Sequence, residues 1–93
     1  MNAMERSWCN AVHELDTCSL CGACGIEWAH RNEGKGMGLK TPPYMTAALC
    51  KECHYTIDNG KDLSRDERRS LMDKAIVITH ARLIEAGRLA LKR

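Results

Sequence analysis

The sequence predicts a small α+β domain, a β-hairpin followed by a helix with one helix before it and a long one after, and three observations predict it. Cysteines pair at short spacing twice, as Cys18-Ser19-Leu20-Cys21 and Cys50-Lys51-Glu52-Cys53. Residues 31–43 carry three glycines and two prolines, a composition that resists regular structure and separates two strand-like runs. Beyond Ser64, apolar residues recur at helical spacing. Ninety-three residues make one domain, and with no Phe and two each of Trp and Tyr its core is thin enough to need a further staple.

In chain order, Met4, Trp8, Ala11, Val12 and Leu15 share one face of a first helix that stops before Asp16-Thr17. That helix is expected to lie as a lid on the cysteine region. Cys9 and His13 stand one turn apart on it; they read as a metal pair or, more commonly for such a spacing, as a buried cysteine beside an exposed histidine. Residues 18–25 form a tight, Gly-containing turn. Residues 26–30 alternate like a strand, residues 44–49 return as a second strand, and residues 50–57 open a short helix broken near Asn59-Gly60. Ser64 with Glu67 three residues on is a capping box. Leu71, Ala75, Ile76, Ile78, Leu83 and Ile84 then give a long amphipathic helix, expected to end near Gly87 or to run on over residues 64–92.

The two cysteine couples have the spacing that brings four thiolates to one tetrahedral Zn²⁺, because each couple spans one turn and presents both side chains on the same side. Cys21 and Cys24 repeat the spacing, so the first couple is Cys18 with Cys21 or Cys21 with Cys24; Cys18 with Cys21 is preferred, which leaves Cys24 spare. A site filled by four thiolates has no open position for water, so this zinc stabilises the fold and performs no chemistry. The six cysteines would suit a secreted disulfide framework, but residues 1–15 contain Glu5 and Glu14 and no long apolar run, unlike a signal peptide. No stretch approaches the roughly 20 apolar residues of a membrane span. The expectation is a cytoplasmic protein with reduced thiols and no membrane partner.

The net charge of +2 conceals an asymmetry. Residues 61–93 carry nine basic side chains against five acidic ones, and residues 1–60 carry five against seven. A polyanionic partner suits that distribution, as does a solvated helix face. Arg65, Arg68, Arg69, Lys74 and Arg82 are the candidates for sequence-independent contacts to a nucleic-acid backbone.

Two histidines exceed what zinc needs. His54 follows the last cysteine, so the zinc site sets its backbone, and His30 ends the first strand, where the hairpin can bring the two imidazoles face to face. With Asp58 one helical turn beyond His54, these are the parts for metal-assisted phosphodiester hydrolysis: one imidazole as general base, the other with the carboxylate on a divalent cation. They also suit a structural reading, with His54 packed beside the zinc and His30 on the strand surface.

The run Trp28-Ala29-His30 together with Leu49-Cys50-Lys51-Glu52-Cys53-His54 resembles the HNH, or ββα-metal, endonuclease core, in which a histidine ends the first strand and LCxxCH opens the helix. Within that superfamily the chain is most similar to small phage and prophage HNH-type proteins, through Ala29-His30, the loop Gly34-Lys35-Gly36-Met37-Gly38-Leu39-Lys40, Pro42-Pro43, and Cys53-His54 with Ile57-Asp58 after it. The likeness covers about residues 18–60. It implies a zinc-stapled ββα-metal core with flanking helices, acting as a DNA endonuclease in a bacterial host cell. On that likeness His30 would be the general base, His54 and Asp58 the ligands of a catalytic Mg²⁺ or Mn²⁺, and Cys18, Cys21, Cys50 and Cys53 the structural zinc ligands. Arg31, Lys35 and Lys40 would flank the scissile phosphate. Ala29 stands where many of these enzymes have a metal-binding His or Asp, and the Asn that orients the base would fall near Tyr44 or Met45. These departures point to a second reading, a non-catalytic zinc module that binds DNA or a protein. A homodimer formed through the apolar stripe of the last helix is a third.

Overall fold

Residues 2–31 and 41–91 are described by the computed structural model. Its elements run α1 (Ala3–His13), β1 (Glu27–His30), β2 (Thr46–Leu49), α2 (Lys51–Asn59) and α3 (Arg65–Glu85), a small α+β fold of three helices and a two-stranded antiparallel sheet. Lys35 and Lys40 lie outside the described residues.

Each helix starts where the side chains can satisfy its free N–H groups. Asn2 caps α1 by accepting from the Glu5 N–H at 2.8 Å. Cys50 caps α2 through its sulfur, which accepts from the Cys53 N–H, so a cysteine of the second couple also starts the helix that follows. Ser64 and Glu67 form the expected capping box on α3. Hydrogen bonds to the Ser64 backbone and side chain hold the Glu67 carboxyl below its ordinary range.

β1 pairs with β2 in the register Glu27↔Leu49, Trp28↔Ala48, Ala29↔Ala47 and His30↔Thr46. Because side chains alternate along a strand, Ala29, Ala47 and Leu49 fall on one face, where they pack with Cys50, Ile57, Met72, Ala75 and Ile76 of the cysteine region, α2 and α3. Ala48 falls on the other face and packs with Ala11, Val12 and Leu83, joined by Trp8 and Trp28. All four residues of β2 are fully buried, and small side chains at Ala29, Ala47, Ala48 and Ala75 let the backbones approach closely. A run of alanines, which reads weakly as a strand, is thus the centre of the molecule.

α1 is not a lid on the cysteine region. It contacts β1, β2 and α3 and makes no contact with α2, because its apolar stripe covers the Ala48 face of the sheet while the cysteines close the other. α3 ends at Glu85, by the nearer of its two expected stops, Gly87. Gly87 adopts a left-handed conformation (φ 75°), and the N–H of Arg88 reaches the carbonyl of Leu83 at 2.8 Å while that of Gly87 reaches Ile84 at 3.0 Å, the bonds of a Schellman cap. The buried face of α3 consists of Met72, Ala75, Ile76, Thr79 and Leu83. Ile84, expected on that face, is exposed together with Val77. Among the described residues no helix is long and apolar enough to cross a membrane.

The outer edge of β2 is closed by one side chain and one backbone group from elsewhere. The Ala48 N–H donates to Thr79 Oγ1 at 3.2 Å, the Ala48 carbonyl accepts from the Ser19 N–H at 2.8 Å, and the Thr79 and Ser19 hydroxyls lie 2.8 Å apart. Thr79 is therefore a buried polar residue with a specific task, to end the ladder inside the protein. Thr79→Val keeps the shape and removes the acceptor, leaving a buried N–H unsatisfied. The expected loss is about 1–3 kcal/mol of stability, read from urea unfolding.

Candidate metal centre and histidine cleft

The sulfurs of Cys18, Cys21, Cys50 and Cys53 all lie within 4.8 Å of one another, and among the described residues this is the one group of three or more His, Cys, Asp or Glu side chains that converges in this way. Cys21 Sγ and Cys50 Sγ are 3.6 Å apart. A tetrahedron with Zn–S bonds of about 2.3 Å has edges of about 3.8 Å, so the four cysteines are positioned to bind a metal ion such as zinc.

Local backbone geometry makes the site. The turn after Cys18 brings the Gly22 N–H to the Cys18 carbonyl at 2.9 Å with Gly22 left-handed at φ 78°, a conformation that a side chain would strain. The turn also points the Leu20 N–H at Cys18 Sγ, at 3.4 Å, as the Cys53 N–H points at Cys50 Sγ, also at 3.4 Å. Such N–H donors stabilise thiolates. At Cys18 burial would push the thiol up, but the N–H groups of Cys50, Cys21 and Leu20 outweigh it and lower the pKa to about 6. Burial pushes Cys53 up, and the neighbouring Cys50, Cys21 and Cys18 add to the rise. In the metal-free cluster one thiol thus ionises readily while another retains its proton, and metal binding must displace that proton.

The choice between the two possible first couples is settled by geometry. Cys24 is exposed, sits in an isolated bridge with Thr17 and takes no part in the sulfur cluster. Cys9 is half-buried and His13 exposed on α1, with neither in a metal-ligating group among the described residues.

Arg82 holds the first cysteine turn to α3. Its guanidinium donates to the Thr17 carbonyl (2.8 Å), Ser19 Oγ (2.9 Å), the Leu15 carbonyl (3.2 Å) and Thr17 Oγ1 (2.7 Å). An arginine whose fork is occupied by four protein acceptors serves the fold, so Arg82 leaves the set of candidate backbone contacts. Arg31 likewise turns inward, its Nε 3.0 Å from Asp73 Oδ1.

The two histidines adopt different environments. His54 lies between two carboxylates, with Nδ1 2.7 Å from Glu27 Oε1 and Nε2 3.2 Å from Asp58 Oδ2. The His54–Asp58 neighbourhood follows from their spacing along α2. Glu27 is the functional candidate that sequence reading missed: it lies 27 positions away and is brought beside His54 because it shares the α2-facing side of β1. A carboxylate only accepts, so in either contact that is a hydrogen bond the ring nitrogen of His54 is the donor. His30, the last residue of β1, packs its ring against Trp28 with centroids 4.4 Å apart and planes at 60°. Trp28 is itself fixed, its indole N–H donating to Thr46 Oγ1 at 2.8 Å while the Thr46 hydroxyl donates to the Pro43 carbonyl at 2.7 Å.

His30 and Asp58 line one open cleft of about 320 Å³, with Ile57, Arg65, Arg68, Arg69 and Met72 as its remaining walls. The link between the two histidines is therefore this cleft and Asp58. Ala29, in the position before His30, is fully buried among the core residues Ala47 and Leu49, so that position faces the core. Tyr44 offers its carbonyl to His80 Nε2 at 2.6 Å, and Met45 accepts from the Arg31 N–H at 3.0 Å. Compared with known proteins, the chain matches no family model, no curated protein and no solved structure.

Proposed function

We propose that this protein is a DNA endonuclease of HNH type that hydrolyses phosphodiester bonds with a divalent cation, on a core stapled by zinc at Cys18, Cys21, Cys50 and Cys53. The observation that carries the reading is the gathering of His30, Asp58, Arg65, Arg68 and Arg69 around one cleft, with His54 bonded to Asp58 at its side. In this reading an imidazole nitrogen of His30 accepts the proton of the attacking water. Glu27 keeps a proton on His54 Nδ1, so that His54 Nε2 and the Asp58 carboxylate form a mixed nitrogen and oxygen donor pair. Two protein donors suit a cation that retains most of its shell as water, as Mg²⁺ does. When bound there, Mg²⁺ or Mn²⁺ supplies charge neutralisation at the phosphate and leaving oxygen. The arginines attract and orient the polyanion.

The test is nicking of supercoiled plasmid by zinc-loaded protein with and without added Mg²⁺ or Mn²⁺. The reading expects cation-dependent nicking that His54→Ala abolishes. It expects Glu27→Ala to weaken Mn²⁺ binding, followed by electron paramagnetic resonance, by about 10–100-fold, the usual effect of removing the partner that orients a ligating histidine. Unchanged Mn²⁺ affinity would remove Glu27 from this role. The core-facing Ala29 favours a second reading, a non-catalytic zinc module that binds DNA, since the position before His30 cannot offer a ligand to the cleft. Retarded DNA in a gel with no nicking under any cation would select it.

A further inference from the structure

The first turns of α3 sort their charges by face. Arg65, Arg68, Arg69 and Met72 line the cleft beside His30 and Asp58, whereas Asp66, Glu67, Ser70 and Lys74 line a separate groove with Leu63 and Leu71. The spacing 65, 68, 69, 72 is one helical face, so within two turns the acidic side chains have been kept off the cleft and three guanidiniums placed on it. A solvated helix end has no reason for this separation. The first-turn acids that would suit a helix N-terminus are present, but on the other side.

Arg68 is positioned in advance. Its Nη1 donates to the Asp58 carbonyl at 3.1 Å, which ties the end of α2 to α3, and its Nε is buried with no hydrogen-bond partner. At the helix end, the Glu67 N–H is already taken by Ser64 at 3.1 Å within the capping box. The cleft wall itself offers guanidiniums, whose planar forks match phosphate oxygens. The cleft volume of about 320 Å³ lies at the small end of ligand sites, roughly 300–1,000 Å³, and admits a single phosphate with its sugar.

We propose that the cleft wall formed by Arg65, Arg68 and Arg69 is a subsite for one backbone phosphate of a nucleic acid, adjacent to the phosphate presented to His30. The proposal rests on the nuclease reading for the identity of its ligand and adds to it where the strand is gripped. Place in the fold separates these three arginines from the other basic residues: they line the cleft with His30 and Asp58, whereas Arg82 holds the first cysteine turn, Arg31 lies beside Asp73 and Lys74 lines the other groove.

The experiment measures binding of zinc-loaded full-length protein to a short fluorescent duplex by anisotropy, without added Mg²⁺, over a range of salt. Three proteins are compared: wild type, Arg65→Ala/Arg69→Ala, and the charge-matched Arg6→Ala/Lys74→Ala. Both residues of the first pair are exposed, so the fold should survive, which zinc content and circular dichroism verify. Loss of one phosphate contact flattens the slope of log K against log salt by about 1, and that is expected for the Arg65/Arg69 pair and not for the charge-matched pair. An unchanged slope in Arg65→Ala/Arg69→Ala, an equal fall in both pairs, or failure of the wild type to bind would overturn the subsite. Plasmid nicking by the same preparations tests the other reading separately. A slope that depends on Arg65 and Arg69 in a protein that never nicks keeps the subsite and removes the nuclease, and nicking with identical slopes does the reverse.

Discussion

Cys50→Ser is expected to unfold the domain and release its metal, while Cys24→Ser leaves both unchanged. Cys50 is nearly buried, contributes its sulfur to the four-cysteine cluster and caps α2 with the same atom. A structural zinc supplies about 10–16 kcal/mol of apparent binding free energy, comparable to or larger than the roughly 5–15 kcal/mol by which a domain is stable. A serine oxygen in place of a thiolate weakens the site enough to remove most of that margin. The thin core supports the size of the effect, because the largest fully buried side chains are Leu49, Leu83 and Val12, with Thr46 and Thr79. Far-ultraviolet circular dichroism together with zinc analysis decides it: one zinc per chain is expected in the wild type and in Cys24→Ser, and almost none in Cys50→Ser. A Cys50→Ser protein that stays folded without metal would show that the cluster is dispensable.

His30→Ala should retain fold, zinc content and DNA affinity and lose cleavage. The ring of His30 lies at the end of β1 against Trp28, only partly buried, and belongs to neither hydrophobic cluster, so its removal leaves the buried core in place. A positioned general base contributes about 10²–10⁴-fold to a proton transfer, and the nicking rate is expected to fall by that factor. Thermal unfolding and anisotropy on the same sample separate a chemical from a structural loss. Cleavage at the wild-type rate would exclude His30 as the base and shift attention to His54.

Spacing along the chain made several features legible. Two cysteine couples at one-turn spacing announce a four-sulfur site whatever connects them, since the local turn geometry is set by a few residues. The capping box at Ser64 and Glu67, the break near Gly60 and the neighbourhood of His54 and Asp58 on one helix are likewise local, and the structure holds all three. What spacing could not give depends on which faces meet. Nothing in the sequence near residue 27 distinguishes Glu27 from an ordinary exposed strand residue, and only the side of β1 that faces α2 makes it a partner of His54. Arg82 reads as one more base on a helix until the first cysteine turn closes over it. Thr79 reads as a polar interruption of an apolar stripe, but β2 needs its hydroxyl to end the ladder.

The sequence by itself determined that two cysteine couples make a four-sulfur site, the succession of helix, hairpin, helix and long helix, and the presence of two histidines beyond the needs of the metal, because these are properties of short segments. Tertiary structure alone decided that α1 covers the sheet face away from the cysteines, that Cys24 is spare, that Glu27 holds His54, and that three arginines of α3 share a cleft with His30 and Asp58. Those outcomes depend on how the faces of separate elements pack, and a pairing between residues tens of positions apart leaves no local periodicity to be read.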